Sequence, residues 1–247
     1  MVLLRSLFLV FIFALLGVSV QAASDKPLRV IVLENSPPMS FRDENGGQTG
    51  FSVEVMRALC LEMKANCVFQ VGALEGVLDM LANGTVDIAA VSLLDTPERR
   101  ERVIFAKPYF RSVSFWFAKA DIQPGQAGIR VAVVHGSAQE RYALSKGWQT
   151  VAVRTNGELA EPLVAGLAQA AIVPMSTGLN LMKKPSFRDL NLGVTAMGDP
   201  ALAGDASFGI SKHRPDLKVP MDAAIDRIKS NGIYDRINTQ FLPFRVN

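Results

Sequence analysis

Apolar residues crowd the stretch LRVIVLE, Leu28 to Glu34, a β-rich run that NSPPMSF then breaks with two prolines. In GFSVEVMRALCLEMKA the apolar positions Val53, Met56, Leu59 or Cys60, and Met63 recur at helical spacing, which predicts a helix. CVFQV is a second short strand, ALEGVLDMLANG an amphipathic helix closed by Gly84, and TVDIAAVSLL a third strand apolar enough to be buried on both faces. The order β-α-β-α-β predicts a parallel, doubly wound sheet. Ligands of such sheets sit beyond the carboxyl ends of the strands, and NSPPMSF and SLLDTPERR lie at two of those ends.

A second α/β set follows the polar connector ADIQPGQAG. IRVAVV is a strand, HGSAQERYALSKG turns into a helix, and TVAV is a short strand. GELAEPLVAGLA predicts a helix, and AAIVPM a further strand. KVPMDAAIDRIKSNGIYDRINTQFL gives two helices parted by Asn231-Gly232. The pattern therefore describes two similar α/β halves with a cleft between them.

The first residues change this picture. Arg5 is followed by SLFLVFIFALLGVSV, then small residues in VQA and the polar ASDKPLRV. That arrangement predicts a secretory signal peptide over residues 1–22, cleaved after Ala22, with an uncleaved anchor as the competing reading. No cysteine follows the apolar run, so a lipoprotein is not expected, and no later segment approaches the ~18 continuous apolar residues of a span. The mature chain is expected to be soluble and exported to the periplasm.

The 247 residues suffice for a substantial core, and 49% hydrophobic with 20% charged residues is ordinary globular composition. The net charge of +3 is spread along the chain, which argues against nucleic acid as a partner. Cys60 and Cys67 are the two cysteines, and export makes their oxidation possible. A metal site is not expected, because His135 and His213 are far off in sequence, and no cofactor motif is present. A disulfide is favoured over two buried thiols; closing so short a loop would be worth about 2.5 kcal/mol in the chain-entropy model.

TPERRERVIFAKPYF carries three arginines, with a fourth, Arg111, just beyond it. Thr96 can cap a helix there and Pro97 suits its first position. Arg99 can offer its planar fork to a carboxylate. From the residues alone it is equally a surface partner of a nearby glutamate, worth at most ~1 kcal/mol. Arg100 and Arg102 read as solvated charges.

Nearly the whole mature chain resembles the type II periplasmic solute-binding proteins of amino-acid ABC transporters, family 3, and most closely the histidine and lysine/arginine/ornithine binding proteins. The stretches that carry the resemblance are LRVIVLENSPPMSF, GFSVEVMRALCLEMKANCVF, LEGVLDMLANGTVDIAAVSLLDTPERRERVIFAKPYF, ADIQPG, RVAVVHGSAQE and FGISKHRPDL, in that order. The resemblance implies a two-lobed periplasmic binding protein type II fold, each lobe a doubly wound, mainly parallel sheet flanked by helices. Lobe 1 would take residues 23–117 and 208–247 and lobe 2 residues 118–207, with two crossover segments between them. It also implies a Cys60–Cys67 disulfide, a monomer, an ABC permease as partner, and a small carboxylate-bearing or amino-acid-like ligand.

Site residues follow from the same resemblance. Arg99 would hold the ligand carboxylate, with Ser137 as a hydroxyl donor to it and Ser92 facing the ligand. As plain residues, Ser137 is an ordinary N-cap and Ser92 a turn residue. Four positions depart from the family. Ser36 and Leu74 stand where its aromatic residues cover the ligand, Leu94 where it has a hydroxyl, and Pro174 where it has the aspartate that pairs with the ligand ammonium. Glu34 is the acidic residue near the first strand end that could take a cationic group, or else a strand-edge charge. An enzyme is not expected. The alternatives are a cyclohexadienyl-dehydratase-like enzyme with Glu34 as its suspected cleft carboxylate, and an accessory or sensory protein that has lost amino-acid binding.

Overall fold

The computed structural model describes residues 26–245, so the expected signal peptide lies outside the described residues. The first part of the chain forms β1 (Leu28–Leu33), β2 (Phe41–Arg42), β3 (Gln48–Thr49), α1 (Phe51–Glu62), β4 (Cys67–Gly72), α2 (Val77–Ala82), β5 (Ile88–Leu94), α3 (Pro97–Arg100), β6 (Ile104–Phe105) and β7 (Phe110–Ala118). The middle forms β8 (Arg130–Val134), α4 (Ala138–Ser145), β9 (Gln149–Val153), α5 (Glu161–Val164), β10 (Ala170–Pro174), α6 (Met175–Leu181), α7 (Pro185–Arg188) and β11 (Gly193–Met197). The chain closes with β12 (Ala203–Ile210), α8 (Lys218–Ser230) and α9 (Ile233–Phe241).

The strands run in the order β4-β1-β5-β12-β7-β10-β8-β9, with β6 on β12 and β11 on β7. At each end the pairing is parallel: β4 and β5 flank β1, and β9 and β10 flank β8. In the centre β12 and β7 are antiparallel to their neighbours. These two strands, together with β11, are absent from the elements the hydrophobic pattern predicts. Residues 110–113 of β7 pair with β12, whereas Ser114 to Ala118 pair with β10 and β11. One strand thus leaves the first set of elements and enters the second, and β12 brings the chain back.

Alternation along each inner strand builds a core on both faces of its sheet, as period-two geometry requires. In β1, Val30 and Val32 point into a cluster with α1 and the C-terminal helices, while Ile31 points into another with Val77 and Leu81 of α2. In β10, Ala171 and Val173 face one core of the second lobe, and Ala170 and Ile172 the other. Met221, Ala224, Ile225 and Ile228 of α8 fall on one helical face and bury against α1. Gly232 adopts φ 78° and starts α9. The Cys60–Cys67 disulfide joins α1 to β4. Among the described residues no helix is long and apolar enough to cross a membrane.

Two helices are shorter than the pattern predicts. Residues 73–76 form an irregular approach to α2, ending at Gly76 with φ 79°. Of GELAEPLVAGLA only Glu161–Val164 is α-helical, preceded by a 3₁₀ turn at Asn156–Glu158. Pro162 lacks an N–H to donate, and Gly166 at φ 67° turns the chain out of the helix.

One half-buried ion pair ties β1 to the entry of β5. Asp87 accepts from the main-chain N–H of Arg29 at 2.8 Å and from its guanidinium at 2.9 and 3.1 Å. Burial alone would raise the Asp87 carboxyl, but these bonds outweigh it and hold the group below the usual carboxylate range. A depressed carboxyl contributes stability above its unfolded value of ~4, and that contribution is lost as pH falls through the folded value. Asp87→Asn is therefore expected to lose about 1–3 kcal/mol at neutral pH. Urea unfolding between pH 7 and 3 should show the variant's deficit shrinking as the pH drops; a deficit constant over that range would contradict the assignment.

Candidate functional site

At the carboxyl end of β5 the chain turns through Asp95 into α3. Thr96 Oγ1 accepts from the N–H of Arg99 at 3.4 Å and Pro97 occupies the first helical position, as predicted. This single turn points Arg99 inward and leaves Arg100 and Arg102 outside, ion-paired with Asp95 and Asp79. Arg99 is only 3% exposed. Its Nη1 donates to the Leu94 carbonyl at 3.0 Å, and its Nε is buried without a partner. Among the described residues no carboxylate forms a salt bridge with it. Burial draws the guanidinium down to about 10, the like charge of Arg141 adds to this, and Glu98 opposes it. At neutral pH the group remains charged.

Arg99 lines a cleft between the two lobes that holds about 790 Å³ of empty space, its open mouth included. Ser36, Leu74, Ser92, Leu94, Ser137 and Pro174 line it too, so seven of the eight expected ligand-binding residues share one cavity. Glu34 does not. It lies on a small adjoining pocket and forms an ion pair with Arg154 of the opposite lobe, so it acts as a rim contact here.

Each wall has its own hydrogen-bond logic. On the first lobe Ser92 Oγ lies 2.6 Å from Tyr109 Oη and 3.2 Å from Ser52 Oγ, and Ser52 is 2.8 Å from Tyr109. Burial pushes the Tyr109 phenol above its ordinary value despite the two serines, so it stays protonated and this trio of hydroxyls is neutral. On the second lobe Ser137 caps α4, accepting from the N–H of Glu140 at 3.0 Å. Its hydroxyl proton remains available to a ligand. Ala138 and Gln139, the first residues of α4, line the cleft, so the amide end of that helix faces the ligand space.

Sequence reasoning missed the second lobe's amide wall. Asn156, which falls between the TVAV strand and the GELAEPLVAGLA segment, donates from Nδ2 to Ser36 Oγ at 2.8 Å across the cleft and accepts from Thr177 Oγ1 at 3.3 Å. Gln139 donates to Ser114 Oγ at 2.9 Å, and that hydroxyl donates to the Leu202 carbonyl at 2.8 Å. The signal available was the position of Asn156 after a strand, where ligand loops of α/β sheets lie.

Around the rim the lobes touch directly. The N–H of Gly157 donates to the Asn35 carbonyl at 3.1 Å, and a Cβ at residue 157 would stand 2.3 Å from the Asn35 side chain. Opposite, His135 Nε2 lies 3.2 Å from Glu75 while its Nδ1 lies 2.9 Å from Glu140. The bond to Glu140, with Glu75 adding, holds the imidazole above its ordinary value. Arg141 and Glu98 add an ion pair at 3.7 Å.

Comparison with known proteins agrees with this architecture. The chain is 28% identical to the L-arginine-binding protein of Pseudomonas aeruginosa, over 91% of each chain. An ancestral arginine-binding protein bound to arginine superposes with a TM-score of 0.75 at 23% identity, covering 87% of this chain and 98% of that one. An ancestral amino acid-binding protein described as a precursor of cyclohexadienyl dehydratase does so with a TM-score of 0.75 at 24% identity, covering 87% and 95%. These folds are two-lobed, of the type II periplasmic binding protein kind. The model of the bacterial extracellular solute-binding proteins, family 3, matches residues 28–244, and the chain belongs to that family.

Proposed function

We propose that this protein is a monomeric periplasmic receptor that traps a small carboxylate-bearing solute, an amino acid or a relative of one, and delivers it to an ABC permease. The observation that carries the reading is Arg99: a buried guanidinium on the cleft, with no carboxylate of the described residues paired to it. A ligand carboxylate would supply the missing countercharge, bridging Arg99 on one lobe and the amide end of α4 with Ser137 on the other. Because it would touch both lobes, it would favour their closed arrangement.

The lobe division expected from the sequence, residues 23–117 with 208–247 against 118–207, is part of the proposal, with β7 and β12 as the crossing segments. Export by an N-terminal signal peptide and the absence of a lipid anchor belong to it as well. The P. aeruginosa relative is named for arginine binding, which supports a transport role here. An enzymatic role is disfavoured by the cavity itself: among the described lining residues Arg99 is the one ionisable group, which leaves no carboxylate, histidine or lysine to move a proton. Glu34, the suspected base, is engaged by Arg154 outside that space.

Calorimetry of the unfolded-and-refolded protein against a panel of amino and organic acids tests the reading. Binding of at least one carboxylate is expected, and Arg99→Ala should weaken it by about 2–5 kcal/mol. Silence across the panel in both proteins would sink the proposal. The same charge predicts an opposite effect on the empty receptor. Arg99→Met, which removes a buried unpaired charge but keeps its volume, should raise unfolding stability by on the order of 1 kcal/mol while abolishing ligand response. A loss of stability would show that Arg99 is a structural residue.

A further inference from the structure

The cleft has one charge and it is positive. Among the described residues no carboxylate lines it, and those at its edges are ion-paired: Glu34 with Arg154, Glu75 and Glu140 with His135, Glu98 with Arg141, and Asp95 with Arg100. Glu140 also accepts from the N–H of Gly136 at 2.7 Å, so both its oxygens are occupied. Leu94 and Pro174, which stand where the family resemblance places a hydroxyl and the ammonium-pairing aspartate, line the cleft and have no polar side chain.

A ligand ammonium closed into this space would be a buried positive charge near Arg99 with no carboxylate of the described lining to pair with it, which is costly. The neutral polar groups fit a different solute. Ser112 and Ser176 carry hydroxyls with no hydrogen bond among the described residues, and both line the cavity. Asn156 retains a second amide proton and a second carbonyl lone pair after its bonds to Ser36 and Thr177. Such groups can donate to, or accept from, a hydroxyl, keto or amide function, and they ask for no charge.

Resting on the receptor reading above, we infer that the solute is a carboxylate with no ammonium group. Its remaining polar functions are neutral, as in a 2-hydroxy acid or an N-acylated amino acid. The carboxylate meets Arg99, and the neutral α-substituent faces Pro174 and the Asn156–Ser176 wall.

The test uses sets of acids that share one side chain and differ at the α-carbon: the free amino acid, the 2-hydroxy acid and the N-acetyl amino acid. Side chains from methyl to isobutyl and benzyl cover the size range of the cleft. Titration calorimetry on the unfolded-and-refolded mature protein should give Kd values about tenfold or more lower for the hydroxy or N-acetyl member than for its amino counterpart. Arg99→Ala should abolish binding of the favoured member. Pro174→Asp puts a carboxylate at the N-cap of α6, a position that accepts aspartate, and should shift preference toward the amino member. Equal or tighter binding of the free amino acids by the wild-type protein, dependent on Arg99, would overturn the inference and leave the receptor reading standing. If no member of any set binds, both fall together.

Discussion

Arg99 carries a charge that the protein does not neutralise, in a place from which water is nearly excluded. Such a group survives only where its surroundings are fixed strongly enough to hold it there. β5 supplies that rigidity, because its residues are buried on both sheet faces and pinned between β1 and β12. α3 then needs only one turn, capped by Thr96 and begun by Pro97, to aim the side chain. The nearest opposing charge, Glu98, pairs across the rim with Arg141, so it relieves Arg99 only in part. The cost of the buried charge is thus built into the empty cleft, and a carboxylate solute is what would lower it.

That cost is coupled to the way the two lobes are joined. β7 changes partners between Val113 and Ser114, so both lobes share one continuous strand. The contacts that hold the lobes together include exposed ion pairs, Glu34–Arg154 and Glu75–His135 among them, and such pairs are individually worth little. The contacts with more structural reach are the Gly157–Asn35 main-chain bond and the buried Ser36–Asn156 pair. A cleft closed by weak rim contacts and a few buried ones leaves the balance between open and closed to the ligand. Neutral hydrogen bonds at the lobe junction keep the closing force modest.

The parts of this design that were legible in the sequence are those set by local periodicity and cap chemistry. β1, α1, β5 and α8 show in the spacing of their apolar residues, and Thr96-Pro97 announces α3. β7 and β12 do not, for physical reasons. The side chains of β7 serve different cores along its length, Phe110 the first lobe and Phe115 to Ala118 the second, so no single alternation runs through it. β12 is broken by an irregularity between Ser207 and Gly209. GELAEPLVAGLA misled because its apolar spacing is helical while Pro162 and Gly166 limit the helix to a turn. At the site the cap that starts α3 was readable, but the residues alone left Arg99 equally a surface charge, and the family resemblance is what singled it out. Asn156 was not readable, because its partner Ser36 is 120 residues away and no local pattern encodes that bond.

Ser36, Leu74, Leu94 and Pro174, read one at a time, could be taken for the erosion of an amino-acid site. Their surroundings argue for a coordinated change. A small residue at 36 leaves room for the Asn156 amide, which then bonds both Ser36 and Thr177. Erosion has no reason to satisfy new buried polar groups, since an unpaired one costs about 1–3 kcal/mol and a partner must be placed to avoid it. Here the partners are placed: the amides of Asn156 and Gln139 are bonded, and Ser92 belongs to a closed trio of hydroxyls. Among the described residues, the polar side-chain atoms left unpaired at the cleft are then Arg99 Nε and the hydroxyls of Ser112 and Ser176, and these are the groups a neutral-substituted carboxylate would need.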